Sequence, residues 1–242
     1  MNPTTDITRF LEALSRVEQI ESMPHGGSWG ALPFVTISRQ GGAGGHTLAE
    51  TLIKLMEKQE DKTLFQGWQI LDQQLCELLL QDSRLDVSMQ SLLSEEYRSQ
   101  VREFVRGLFG QPDQHVAIRQ MFEIIRSLAS VGKVIIVGRG GSDVTKRLEL
   151  GVHVRLVAPE YLRIRRMMKL LDQDEDEARQ TVRKQDSDRA RLLKSYFQVD
   201  INDPLQYDVI WNTGGASFTV IAESLIGLIK QRMQDWRLAA GT

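Results

Sequence analysis

An apolar, β-branched run that ends in a cluster of glycines and passes straight into a helical pattern restricts this chain more than any other segment. It reads Phe34-Val35-Thr36-Ile37-Ser38-Arg39-Gln40-Gly41-Gly42-Ala43-Gly44-Gly45-His46-Thr47-Leu48-Ala49. Phe34 to Ile37 suits a buried parallel strand, and Leu48, Leu52, Ile53 and Met56 return at helical spacing just beyond the glycines. Gly41, Gly42, Gly44 and Gly45 carry no Cβ, so the turn can take positive φ and aim successive N–H groups at one anion, beside the positive end of the helix dipole. Two readings stand: a phosphate cradle made by Ser38, Gln40, Gly41, Gly42, Ala43, Gly44, Gly45, His46 and Thr47, or a tight strand-to-helix turn without a ligand. The segment departs from the pattern G-x-x-x-x-G-K-[ST], whose lysine reaches the β- and γ-phosphates. With Gly42-Ala43-Gly44 as the G-x-G, Gly45 takes the lysine position and His46 the hydroxyl position, followed by Thr47. Arg39, before the turn, is the nearest fixed cation and a candidate to supply charge from the other side.

Three further strands follow in the pattern. Gly132 to Gly141 holds Val134-Ile135-Ile136-Val137 and ends in glycines, Val152 to Pro159 is a third buried run, and Tyr207 to Asn212 a fourth. Helical patterns separate them, which predicts a parallel sheet covered on both faces. In open sheets of this kind ligands bind beyond the carboxyl ends of the strands, where Arg39, Arg139 and Asn212 stand. Ahead of the first strand, Ile7, Phe10, Leu11, Leu14, Val17 and Ile20 predict an amphipathic helix over 6–22, a cap or a dimer contact, with a glycine-rich linker behind it. Trp68 to Leu71 is a short strand candidate. A helix from Asp72, a helical insertion and a returning helix from His115 to Val131 complete the first half.

One principal domain is the simplest division of 242 residues: a front helix and linker over 1–31, an α/β domain over 32–235 and a tail over 236–242. Thirty basic against thirty-two acidic residues leave a formal charge of −2, so no global basic field recommends nucleic acid or an anionic membrane as a partner. The single cysteine, Cys76, excludes a disulfide framework and fits a reducing compartment; its apolar surroundings read as helix packing. A polar, acidic N-terminus and the lack of a roughly 20-residue apolar run predict a cytoplasmic protein. Four scattered histidines predict no metal site.

The second half is rich in arginine. A helix from Glu160 to Leu171 carries Arg163, Arg165 and Arg166, and a longer one, from about Asp174 to Phe197, sets Arg179, Arg183, Asp186 and Ala190 on one face with Arg189 beside it. Such a face can grip phosphate, since phosphoryl transfer asks chiefly for positioning and charge absorption. A solvated helix laced with ion pairs is the alternative reading, and the acidic run from Asp172 to Glu177 favours it in part.

Taken in order, Ile37 to Gly45, Val137-Gly138-Arg139-Gly140, Arg163-Ile164-Arg165-Arg166, Asp186-Ser187-Asp188-Arg189-Ala190, Asp203-Pro204, and Tyr207-Asp208-Val209-Ile210 with Asn212-Thr213 resemble the cytidylate kinase-like family, over about residues 33 to 230. The resemblance implies a three-layer α/β/α fold of P-loop NTPase type, with a parallel sheet, a helical monophosphate-binding insertion at about 72–114 and an arginine-rich lid at about 163–195. It implies transfer of the ATP γ-phosphoryl to CMP or dCMP, with Mg2+ accompanying ATP, and with Arg163, Arg183, Asp186 and Arg189 handling the phosphates; Arg39 joins them as a catalytic candidate by its position before the turn. Asp72, Arg119 and Arg139 are the acceptor-side candidates; Arg139 matches the arginine of a Gly-Arg-Asp motif whose aspartate is here Gly140. The missing lysine and carboxylate leave two alternatives beside the kinase: a non-catalytic nucleotide-binding module, and a kinase for another small acceptor.

Overall fold

The computed structural model describes residues 32–72 and 114–241. The front helix over 6–22, Cys76 and most of the insertion expected at 72–114 lie outside the described residues. Five parallel strands form one sheet: β1 (Phe34–Arg39), β2 (Gln69–Leu71), β3 (Val134–Val137), β4 (Gly151–Val157) and β5 (Val209–Asn212). Their spatial order is β2-β3-β1-β4-β5. β1 is central, with Val35 beside Ile135 on one side and Val152 on the other.

Side chains alternate across the sheet with the strand period of two. Val35 and Ile37 of β1, with Ile135 and Val137 of β3, pack on one face, while Phe34, Val134 and Ile136 pack on the other. The first face is covered by α1 (Gly45–Met56) through Leu48 and Leu52, with the four-residue α2 (Lys62–Phe65) at its edge. The second is covered by α3 (Gln114–Val131) through Met121, Ile125 and Leu128, beside the short α4 (Gly141–Val144). Covering on both faces is why the central strands are continuously apolar.

Beyond β4 the chain forms an antiparallel pair, α5 (Glu160–Leu171) and α6 (Glu175–Phe197), with a small core of its own in Ile164, Met167, Ala178 and Val182. α6 begins with a reciprocal cap: Asp174 accepts from the Glu177 N–H, and Glu177 accepts from the Asp174 N–H. The last helix, α7 (Phe218–Ala240), starts on the Ser217 cap and buries Ile221, Leu225 and Ile229 against the first face; it continues unbroken past residue 235. Among the described residues no helix is long and apolar enough to cross a membrane. The chain leaves β1 toward one side of the sheet and reaches β4 on the other, so a topological switch point lies at the carboxyl end of β1.

Candidate functional site

The glycine turn at the end of β1 is shaped by what presses on it from outside. Gly42 and Gly44 have φ of 74° and 91°, a region closed to most side chains. A Cβ on Gly42 would stand 2.5 Å from the Arg163 carbonyl oxygen, and one on Gly44 would overlap the Phe218 ring. The glycines therefore serve the close approach of α5 and α7. On the other side of the turn, the first N–H groups of α1, from Gly45, His46 and Thr47, have no partner within their own helix, which leaves a donor set at a positive helix end. His46 and Thr47 are exposed there.

Asp186 fastens the α5–α6 pair to this turn. Its Oδ1 accepts from the Gly41 N–H at 2.6 Å and its Oδ2 from Arg163 Nη1 at 2.7 Å. Arg163, 8% exposed, also donates to the Gly41 and Ala158 carbonyls. Arg166 donates to Thr213 Oγ1 and to the Thr213 carbonyl, both at 2.8 Å, and the Thr213 hydroxyl donates to the Ala43 carbonyl. Gln40 accepts from the Ala158 N–H. Arg163, Asp186, Gln40 and Ala43 thus act as braces that hold the turn and the helical pair in register.

Beside the turn, at the switch point, lies a cleft of about 320 Å³ whose walls carry Arg39, Arg139 and Arg189. An adjoining cleft of about 320 Å³ shares Arg39 and Arg189 and adds Arg155. Arg189 donates to Gln185 Oε1 at 3.0 Å and stands 3.8 Å from Asp186. Arg155, 4% exposed in the middle of β4, donates to Ser38 Oγ and Asn202 Oδ1, each at 3.0 Å, and lies over the Tyr207 ring. Asp188 faces the first cleft but is already paired with Lys184 and Arg191.

Burial, then the charges of Arg189 and Arg139, push the Arg39 pKa down to about 9, only partly offset by Asp72. Burial also lowers Arg189, against the pull of Asp186. A group of cations that raises the cost of its own charge is a site in want of an anion. Burial pushes the pKa values of the Tyr207 phenol and the Asp143 carboxyl up from their ordinary values.

The residues singled out from sequence thus fall into separate places. Ser38, Arg39, Arg139 and Arg189 meet in the cleft, while Gly41, Gly42, Ala43 and Gly44 form the turn. Asp72, the residue after β2, stands 3.8 Å from His46, and its charge reaches Arg39. Arg183 is on an outer face, its side chain 68% exposed and 3.5 Å from Glu160; Arg179 pairs with Glu175, and Arg119 is exposed on α3. Arg179, Arg183 and Asp186 share one face of α6 as their spacing predicts, but Arg179 pairs with Glu175 and Arg183 with Glu160, and of the three Asp186 reaches the turn. Arg155 was not picked out from sequence. Its signal was available, a lone arginine inside the buried run Val154-Arg155-Leu156.

The family model described as "Cytidylate kinase-like family" matches residues 34–214. No curated protein matches the sequence significantly. Among solved structures, an uncharacterised protein from Eubacterium ventriosum ATCC 27560 is 18% identical with a TM-score of 0.61, covering 82% of this chain and 98% of its own. The shikimate kinase from Acinetobacter baumannii, solved with shikimate, is 19% identical with a TM-score of 0.44, covering 83% of this chain and 94% of its own. The shikimate kinase from Bacteroides thetaiotaomicron is 14% identical with a TM-score of 0.41, covering 88% of this chain and all of its own.

Proposed function

This chain belongs to the cytidylate kinase-like family, and from that premise we propose that it is an ATP-dependent phosphotransferase that moves the γ-phosphoryl of ATP to a nucleoside monophosphate, with CMP or dCMP the favoured acceptor. The observation that carries the reading is the convergence of Arg39, Arg139 and Arg189 on one cleft at the switch point, against the glycine turn. Phosphoryl transfer needs donor and acceptor oxygens in line and the charge on the transferred group absorbed. Helix-start N–H groups at Gly45 to Thr47, with Arg39 beside them, suit the donor phosphates, and Arg139 and Arg189 suit the transferred group and the acceptor phosphate. Magnesium would arrive on ATP, held mainly by phosphate oxygens and water. The family resemblance assigns phosphate contacts to Arg163, Arg183 and Asp186 as well. The contacts of Arg163 and Asp186 favour a positioning role, the joining of the lid helices to the turn.

One observation favours a second reading, a nucleotide-binding module without turnover. Val137 ends β3 where a carboxylate would help to hold magnesium, Gly140 stands in place of the motif aspartate, and Gly45 where a lysine would stand. ADP release in ATP and magnesium, with and without CMP, dCMP, UMP and AMP, decides between them. The kinase predicts release that depends on the acceptor and falls at least tenfold in Arg189→Ala. A melting shift with ATP and no release with any acceptor would support the module. The same panel with shikimate and other small hydroxylated acceptors added tests the remaining kinase alternative.

A further inference from the structure

The two glycines that flank Arg39 from distant parts of the chain carry a consequence for the missing lysine. Gly45 is the first residue of α1, and unlike Gly42 and Gly44 it does not have positive φ. Its backbone would accept any L residue, and glycine is a poor helix former there. What stands in the way of a side chain is Arg39: a Cβ on Gly45 would lie 3.2 Å from Arg39 Cδ and 3.3 Å from Arg39 Cγ, with Val137 Cγ1 also at 3.3 Å. At the far end of the same side chain, a Cβ on Gly138 would overlap Arg39 Nη1 and stand 2.8 Å from Cζ. The arginine stem therefore leaves β1, passes the start of α1 and sets its guanidinium on the glycine that follows β3.

We propose that Arg39 takes the place and the duty of the phosphate-loop lysine, its stem filling the space beside Gly45 that a lysine at that position would need. The inference rests on the phosphotransferase reading above and names the group that meets the donor phosphates. The cation reaches the site from the strand end instead of the helix start; Gly45 leaves room for its stem, and Gly138, whose φ of 84° already calls for glycine, leaves room for its guanidinium. A guanidinium suits the duty because its fork can hold two phosphate oxygens at once. A side chain at residue 45 must push the Arg39 stem aside, so charge at residue 39 and bulk at residue 45 compete for the same space.

The test is a set of five proteins: wild type, Arg39→Met, Arg39→Ala, Gly45→Lys, and the double variant Arg39→Ala with Gly45→Lys. Each is melted alone, with ATP and magnesium, and with inorganic tripolyphosphate, and the active ones are assayed for KM of ATP and of acceptor separately. Arg39→Met keeps an apolar stem and removes the charge, so a folded protein with at least tenfold weaker ATP affinity is expected. Gly45→Lys alone should lower the melting temperature of the free protein; in the Arg39→Ala background that penalty should vanish and ATP affinity should recover at least tenfold over Arg39→Ala. In the assay, loss at residue 39 should raise KM for ATP and leave KM for the acceptor within twofold. Full ATP affinity in Arg39→Met, or a double variant that binds no better than Arg39→Ala, overturns the proposal and leaves the phosphotransferase reading standing. A wild type that binds neither ATP nor tripolyphosphate overturns both.

Discussion

Arg39 joins three properties rarely found in one residue: it ends a central strand, it is crowded by two other arginines, and its charge is held at a cost. Its pKa, lowered to about 9 by burial first and by Arg189 and Arg139 next, gives a direct expectation for ligand binding. Below that value the free protein carries the cation, and phosphate affinity is level with pH. Above it the free protein loses the proton that the bound anion requires, so affinity should fall toward tenfold per pH unit as pH passes 9. Titration calorimetry with ATP, whose phosphates are fully ionised well below that pH, would show the break; a level curve to pH 10.5 would assign binding to the other arginines. Arg155 belongs to the same scale. It is a buried cation with hydroxyl and amide partners at Ser38 and Asn202, and it adds positive potential behind the cleft.

At the scale of elements, the joint between α5–α6 and the glycine turn is the piece to break. Asp186→Ala removes the acceptor of the Gly41 N–H and the partner of Arg163, a nearly buried guanidinium. The expected loss is about 1–3 kcal/mol, read by thermal melting. Amide exchange should quicken at Gly41 and along α6, with β1 and β3 unchanged. Strand and helix periods made most of this architecture legible in advance. Phe34 to Ile37, Val134 to Val137 and Glu175 to Phe197 form the elements their spacing predicts, and the strand-glycine-helix order places the turn at the sheet's carboxyl edge. Partnerships were not legible, because they cross the chain. Asp186 and the Gly41 N–H lie 145 residues apart, and an arginine's period on a helix does not say whether a neighbouring acid will claim it, as Glu160 claims Arg183. Arg155 shows in the sequence only as a lone arginine inside Val154-Arg155-Leu156; alternation in a doubly covered sheet does not say that its side chain reaches a cleft.

At the scale of the whole molecule, the cleft lies where the sheet's connectivity reverses, with β1 and the glycine after β3 on one side and α6 on the other. A ligand there touches both the sheet and the helical pair, so binding should stabilise the molecule as one body. Mass action puts the gain at about 2.7 kcal/mol when ATP is present at a hundred times its Kd. The expectation is a single melting transition that moves upward as a whole with ATP concentration. Two transitions, with only one of them responsive to ATP, would show that the helical pair melts apart from the sheet and that the joint at Asp186 does not transmit binding.

The crowding of Arg39 between Gly45 and Gly138 also bears on descent. A lysine gained at residue 45 while the arginine remains must push the arginine stem aside, and on the proposal above an arginine lost first leaves the turn without its cation. Either single step passes through a handicapped protein. The two arrangements are separated by a valley in sequence space, and a lineage that has settled on one side is held there by the order in which mutations must arrive.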